Sequence, residues 1–225
     1  MVWMTVERIR VQLRPMIAGT GLHRFLKIPS QFIRRHTDDY RDRYKDSIFC
    51  RESEMAACSH QPDKVLDLMI KRFGPKTVLD LGCGTGKAID YLLSQGIDAF
   101  GIEGSALAIS KSSFPQRMTQ ANLNEPVCLN RKFDAVFCYE VVEHIHPDYL
   151  ESLMATLCSH SDLIILSHAQ PGQGGEGHFN EQPDDYWIKQ FSRMNFEIDR
   201  AATQEFKNCG DLYANNLMVF RKSSK

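Results

Sequence analysis

The chain has 225 residues, 43% of them hydrophobic and 24% charged, which is the composition of an ordinary soluble globular protein. A chain this long buries roughly 70% of its unfolded surface and needs no disulfide or metal to hold a core. No apolar run approaches the ~18 residues of a membrane span, which argues against an integral helical membrane protein, and the net charge of −1 gives no general case for nucleic acid.

That balance hides an asymmetry at the start of the chain. Residues 1–37 carry Arg8, Arg10, Arg14, Arg24, Lys27, Arg34 and Arg35 against Glu7 alone, a balance of +6 that leaves −7 for the rest. A basic leader suits a phosphate-binding arm, a membrane-surface helix, an organellar transit peptide or a solvated helical face. No signal-peptide apolar segment is visible, so the expected location is cytoplasmic, with organellar targeting by the leader as the alternative. Residues 1–60 show short helical patterns broken by Gly19, Gly21 and Pro29 and read as an N-terminal helical extension. Residues 61–225 read as one further domain.

From Asp63 the pattern becomes regular. PDKVLDLMIKRFG is an amphipathic helix with Pro62 and Asp63 at its start and Gly74 as its stop. TVLDL (77–81) reads as a buried strand, KAIDYLLSQG (87–96) as a helix, DAFGIE (98–103) as a strand, and SALAISKSS (105–113) as a helix with a Ser N-cap. RMTQANL (117–123) is a weak strand and FDAVFCYE (133–140) a strong one. HPDYLESLMATLCSH (146–160) is a helix, DLIILSHA (162–169) a strand, PDDYWIKQFSRMN (183–195) a helix and NLMVFRK (216–222) the last strand. Strands alternating with helices predict an α/β fold with a doubly wound, mostly parallel sheet.

VLDLGCGTGK (78–87) puts Gly82, Gly84 and Gly86 between the first strand and its helix, where a tight turn can approach a ligand closely. Glu103 ends the next strand, where a carboxylate can accept both hydroxyls of a ribose. The GxGxG spacing departs from the dinucleotide pattern, and the absence of GK[ST] excludes a phosphate-cradling P-loop. The seven cysteines include no C-x-x-C pair. They read as buried thiols in a reducing compartment rather than a disulfide scaffold, a zinc ribbon or activated nucleophiles.

DLGCGTG, GIE, ANLN and FDAVFCYEVVEHI together resemble the class I S-adenosylmethionine-dependent methyltransferases over about residues 63–200. The resemblance implies a Rossmann-like, mostly parallel seven-stranded sheet, with residues 61–225 as the cofactor-binding methyltransferase domain and residues 1–60 as a cover on the acceptor side. It implies cofactor binding by Asp80, Gly82, Cys83, Gly84, Gly86, Glu103, Gly104, Asn122, Leu123 and Tyr139. Asn122 stands where such families usually carry Asp, and its side-chain carbonyl can still meet an adenine amino group.

CYEVVEHIH places Glu140, Glu143 and His144 at the carboxyl edge of the sheet, on one face if the segment turns helically. Two carboxylates and an imidazole make a site for Mg²⁺, Mn²⁺ or Fe²⁺. His168 follows the fifth strand and His178 follows QPGQGGEG, a loop whose glycines predict mobility close to the point of methyl delivery. The E-x-x-E-H with a later His resembles the metal-dependent small-RNA 2′-O-methyltransferases and, in its first part, the ubiquinone-pathway O-methyltransferases. The segment 177–191 is similar to loops of methyltransferases found among glycan-building genes. Other methyltransferases with this motif bind no metal, and there His144 would cap or pack while Glu140 faces cofactor or substrate.

A hydroxyl acceptor has a pKa far above 7 and needs a metal or a close base, whereas an amine need only be bound neutral. The expected activity is therefore O-methylation of a small molecule or glycan, assisted by Mg²⁺ or Mn²⁺ at Glu140, Glu143, His144 and His178. Glu140, His168 and His178 are the catalytic candidates. The alternatives are an RNA 2′-O-methyltransferase, with Phe179, Tyr186 and Trp187 available for stacking on bases, and a metal-free N-methyltransferase of small molecules. A non-catalytic activating partner is the fourth, disfavoured by the intact glycine loop and Glu103.

Overall fold

In the computed structural model of the chain, residues 60–224 are described. The predicted N-terminal extension lies outside them. The order of elements is α1 (Asp63–Phe73), β1 (Thr77–Leu81), α2 (Lys87–Ser94), β2 (Asp98–Glu103), α3 (Ala106–Ser110), β3 (Met118–Gln120), β4 (Ala135–Cys138), α4 (Leu150–His160), β5 (Leu163–Ser167), α5 (Asp184–Arg193), β6 (Phe196–Ile198), α6 (Arg200–Lys207) and β7 (Leu217–Lys222). The seven strands form one sheet in the order β3-β2-β1-β4-β5-β7-β6. All neighbours pair in parallel except β7, which runs antiparallel to both β5 and β6. This is the Rossmann-like, mostly parallel arrangement expected from the alternation of elements. Among the described residues no helix is long and apolar enough to cross a membrane.

The central strands are buried on both faces, so their residues divide between two cores. On one side Val78, Ala135, Phe137 and Ile165 pack with Leu66 and Met69 of α1, Ile89 and Leu92 of α2 and Phe206 of α6. On the other, Leu79, Val136, Cys138 and Ile164 pack with Leu153 and Leu157 of α4 and Trp187 and Phe191 of α5. Phe191 also stacks on Phe220 of β7 at 3.9 Å.

Local chemistry sets most of the ends. Gly74 takes a left-handed φ of 56° and its N–H closes on Ile70 O, stopping α1. The free N–H groups of Lys64 and Val65 at the start of that helix are accepted by Asp211, almost 150 residues away (3.1 and 3.4 Å). Ser105 caps α3 through Ala108 N–H, yet the helix ends at Ser110 rather than running to 113. The weak third strand keeps only Met118–Gln120.

β6 and α6 have no counterpart in the sequence reading. β6 is three residues long, and α6 (RAATQEFK) buries only Ala202, Thr203 and Phe206, too sparse a stripe to register as a period. Asp199 caps it by accepting Ala202 N–H.

Because β7 is antiparallel, its first residue, Leu217, pairs with Ser167 at the end of β5. The loop before β7 therefore shares the carboxyl edge of the parallel strands with the turns after β1, β2, β4 and β5. Ligands bind along that edge in open α/β sheets.

Candidate active site

The turn after β1 is built almost wholly by backbone. Gly82 and Cys83 both donate N–H to Ile102 O of β2 (2.8 and 3.1 Å), and Gly86 donates to Cys83 O. Gly82 has φ 72°, and a Cβ there would sit 2.5 Å from Val141 Cγ2, so both conformation and space require glycine. Glu103 is buried beneath the loop. One carboxylate oxygen accepts Gly84 N–H (2.9 Å) and the other Ser105 N–H (2.7 Å).

Asp80 lies buried beside it. Burial, with the Glu103 charge added, pushes its carboxyl up to about 7, because two anions in low dielectric repel. A pocket with two buried carboxylates and narrow glycine walls suits a cationic ligand that carries hydroxyls. Cys83 lies in the same loop, and burial with the two acids pushes its thiol well up. Cys138 is raised by burial too. Neither is an activated nucleophile.

The other expected residues of this pocket lie around its rim. Asn122 accepts Asn124 N–H through Oδ1 (2.9 Å), and Leu123 is buried in the second core. Gly104 O accepts from the Gln120 amide. Tyr139 donates its hydroxyl to Leu212 O in the loop before β7 and stacks on Phe137, so its ring rather than its hydroxyl is free to meet a ligand.

The end of β4 is different in kind. Glu140 takes a left-handed φ of 55°, unusual for a residue with a side chain. Two hydrogen bonds to Ser167 at the end of β5 hold it: Glu140 N–H donates to Ser167 Oγ (2.6 Å), and that hydroxyl donates to Glu140 Oε1 (2.8 Å). The chain then makes a 3₁₀ turn over Val142–His144. Glu143 is completely buried; among the described residues its carboxyl oxygens have no hydrogen-bond partner of good geometry, and the Glu140 carboxyl lies close enough to share a proton with it. Burial, reinforced by the adjacent Glu140 carboxylate, pushes it well above the usual carboxylate range.

One ligand atom each from Glu143, His144 and His178 lies within 4.8 Å of the others. The imidazole rings meet edge to face, centroids 4.9 Å apart. His144 Nδ1 donates to Gly177 O (3.1 Å), and burial holds its pKa near 3, so the ring is neutral with Nε2 unprotonated. The segment carrying His178 is fastened to the turn by its own backbone, since Phe179 and Asn180 both donate N–H to Glu143 O (2.8 and 3.0 Å). Asn180 is 1% exposed, and neither of its side-chain polar atoms has a partner.

The structure thus gathers three of the four expected metal ligands. Glu140 stands beside them, committed to Ser167 and facing Glu143. His168 does not join the cluster. It is fully buried, with Nε2 3.1 Å from Asp184 Oδ1 and its ring against Trp187. Lys207 holds the other oxygen of that carboxylate. Phe179 and Trp187 are buried, so neither is a platform for a base. Ser167, Asn180 and Glu181 were not singled out from sequence. The one available signal was an acidic residue three positions after a candidate histidine ligand.

The family model described as a methyltransferase domain matches residues 51–173, more than half of the chain. The chain belongs to this family. It is an S-adenosylmethionine-dependent methyltransferase. No curated protein matches its sequence, but its fold is shared by several solved structures. An S-adenosylmethionine-dependent methyltransferase from Clostridium acetobutylicum is 13% identical with a TM-score of 0.58, over 76% of this chain and 96% of that one. The sugar N-methyltransferase KedS8 from Streptoalloteichus is 16% identical with a TM-score of 0.58, over 72% and 87%. The methyltransferase domain of bacterial CtHen1-C is 17% identical with a TM-score of 0.55, over 72% and 96%.

The turn after β1 fits the cofactor of a methyltransferase. A Cβ at Gly82 would collide with the Val141 side chain, and Asp80 and Glu103 lie buried beside the turn. Glu143, His144 and His178 bring one carboxylate oxygen and two imidazole nitrogens together, donor types that a divalent ion accepts.

Proposed function

We propose that this enzyme methylates a hydroxyl oxygen on a small polar or glycan acceptor, and that Glu143, His144 and His178 hold a divalent ion, Mg²⁺ or Mn²⁺, that assists the transfer. Glu143 carries the reading. A buried carboxyl with no hydrogen bond of good geometry is costly in a protein interior. Beside two imidazoles whose outer nitrogens are already engaged, it is the arrangement of a metal ligand set.

Asp80, Gly82, Cys83, Gly84, Gly86, Glu103 and Gly104 are the residues we assign to the cofactor, with Asn122, Leu123 and Tyr139 at its adenine and acceptor ends. S-adenosylmethionine supplies, when bound, an electrophilic methyl group on a sulfonium. Asp80 faces the cationic portion, and the Glu103 carboxylate accepts the ribose hydroxyls. Gly82 and Gly84 keep the backbone low enough for close approach.

On the acceptor side an ion at the cluster would supply Lewis acidity, easing loss of a hydroxyl proton at neutral pH. Glu140 stands next to it as the proton acceptor, its carboxylate aimed by Ser167. Asn180 offers one donor and one acceptor, the complement of a second hydroxyl on the same acceptor. Such pairing suits a polyhydroxyl compound better than an isolated amine.

The test is methyl transfer from S-adenosylmethionine to a panel of sugars, phenols, amines and short RNAs, each with and without EDTA. Turnover on a hydroxyl acceptor, abolished by EDTA and restored by Mn²⁺ or Mg²⁺, is expected. Transfer to RNA with the same metal dependence would keep the chemistry and replace the acceptor class. Transfer confined to amines, or full activity in EDTA, would overturn the reading.

A further inference from the structure

One side chain, Glu181, takes two of the backbone N–H groups of the glycine-rich loop after β5. Glu181 Oε1 accepts Gly174 N–H (2.7 Å) and Oε2 accepts Gly172 N–H (3.0 Å). Oε1 also lies 3.1 Å from His178 Nδ1. Both side chains are about nine-tenths buried. The loop expected to be mobile from its glycines is therefore wrapped around one carboxylate. Gly175 serves proximity, since a Cβ there would lie 2.2 Å from His178 Nε2.

We infer that Glu181 is a positioning residue for the transfer reaction, fixing the tautomer and orientation of His178 so that Nε2 presents its lone pair to Glu143 and His144. A carboxylate can only accept, so the proton between it and the ring belongs to Nδ1. Nε2 is then unprotonated and able to ligate. His144 reaches the same state by a different route, donating Nδ1–H to the Gly177 carbonyl. Two rings thus receive the same tautomer from partners outside the cluster, and both partners come from the segment 177–181. Outer-shell acceptors of this kind orient ligating histidines, and removing one typically costs 10–100-fold in metal affinity. The two backbone N–H groups hold the carboxylate so that it cannot turn away from the ring.

The inference rests on the ion-binding reading for its purpose but not for its test. Full-length protein labelled with ¹⁵N in the histidine rings reports the tautomer directly, the His178 signals being assigned by their loss in His178→Gln. The expected wild-type result is a protonated Nδ1 and an unprotonated Nε2. In Glu181→Gln the amide oxygen can still accept from the loop, while its NH₂ cannot accept from Nδ1. The ring should move to the Nε2–H form or to a mixture, and Mn²⁺ binding followed by electron paramagnetic resonance should weaken about 10–100-fold. Affinity for S-adenosylhomocysteine should stay within twofold. Glu181→Asp, which keeps the acceptor, should retain the wild-type tautomer. An Nε2–H tautomer in the wild type would overturn the inference, and that measurement needs no variant. An unchanged tautomer in Glu181→Gln would overturn it as well. A tautomer that depends on Glu181 in a protein that does not bind Mn²⁺ would uphold the positioning role and remove the ion from the reading above.

Discussion

The β1–β2 turn and the β4–β5 turn lie on the same edge of one sheet, and both bury acidic side chains. Under the first, Glu103 accepts Gly84 N–H from the glycine turn and Ser105 N–H from the start of the following helix. Under the second, among the described residues, neither the Glu143 carboxyl nor the Asn180 amide has a side-chain hydrogen bond of good geometry, while Glu140 is held in a left-handed conformation. The first is a receptacle whose shape is complete in the protein alone. The second stores unsatisfied polarity. In the proposed division of labour, local backbone preforms the cofactor pocket, while the cluster assigned to the acceptor keeps its polar groups for a ligand.

Breaking the completed half should have the largest effect. Glu103→Ala removes the acceptor of two backbone N–H groups and of the ribose hydroxyls, and each charge-assisted bond contributes roughly 1.5–3 kcal/mol. Affinity for S-adenosylhomocysteine by calorimetry should fall about 100-fold or more. Binding within twofold of wild type would show that Glu103 does not touch the cofactor.

A smaller effect, in pH, comes from Asp80. Its pKa is about 7 in the folded protein against 3.8 for an ordinary aspartate. The unfolded chain gives up this proton near 3.8 and the folded chain keeps it to about 7, so this group's contribution to stability falls as pH rises through that window. Ligand binding runs the other way. A cation pairs with the ionised carboxylate, so affinity for S-adenosylmethionine should rise up to tenfold per unit as pH approaches 7. It should then level off until the ligand's own amino group deprotonates near 8. Asp80→Asn should flatten that rise. An unaltered pH profile in the variant would assign it to another group.

The same contrast explains what could be read without a structure. DLGCGTG and the Glu ending β2 are local signals, because turn, strand ends and carboxylate lie within some 25 residues. The strands other than β6 were legible for the same reason, being short and mostly apolar, with β1 and β2 running into glycine. The second half joins residues 140–144 to residues 177–181, and only its histidines and acids announced themselves. Nothing in QPGQGGEGHFNEQ says that Glu181 folds back onto Gly172 and Gly174, or that Asn180 is buried beside Glu143. Nor does the sequence separate His178, which reaches the cluster, from His168, which is spent on Asp184. That difference depends on α5 and Lys207, which meet His168 only through the tertiary fold.

The mildest perturbation sharpens the comparison most. If Glu143 is kept for a ligand rather than for the fold, replacing it with an apolar side chain of similar length should stabilise the ligand-free protein. Glu143→Met removes the desolvation of a carboxyl that gains no hydrogen bond of good geometry, about 1–3 kcal/mol. In a chain of this size that raises Tm by about 2–4 °C per kcal/mol. The same variant should lose Mn²⁺ binding, and with it the stabilisation that saturating Mn²⁺ gives the wild type. The matching change in the other half, Glu103→Leu, should lower Tm, because it strands two backbone N–H groups in the interior. Opposite signs at two buried glutamates on one sheet edge would establish that one carboxylate serves the fold and the other its ligand. A lower Tm for Glu143→Met would instead mean that Glu143 has a donor in solution and belongs to the structural half.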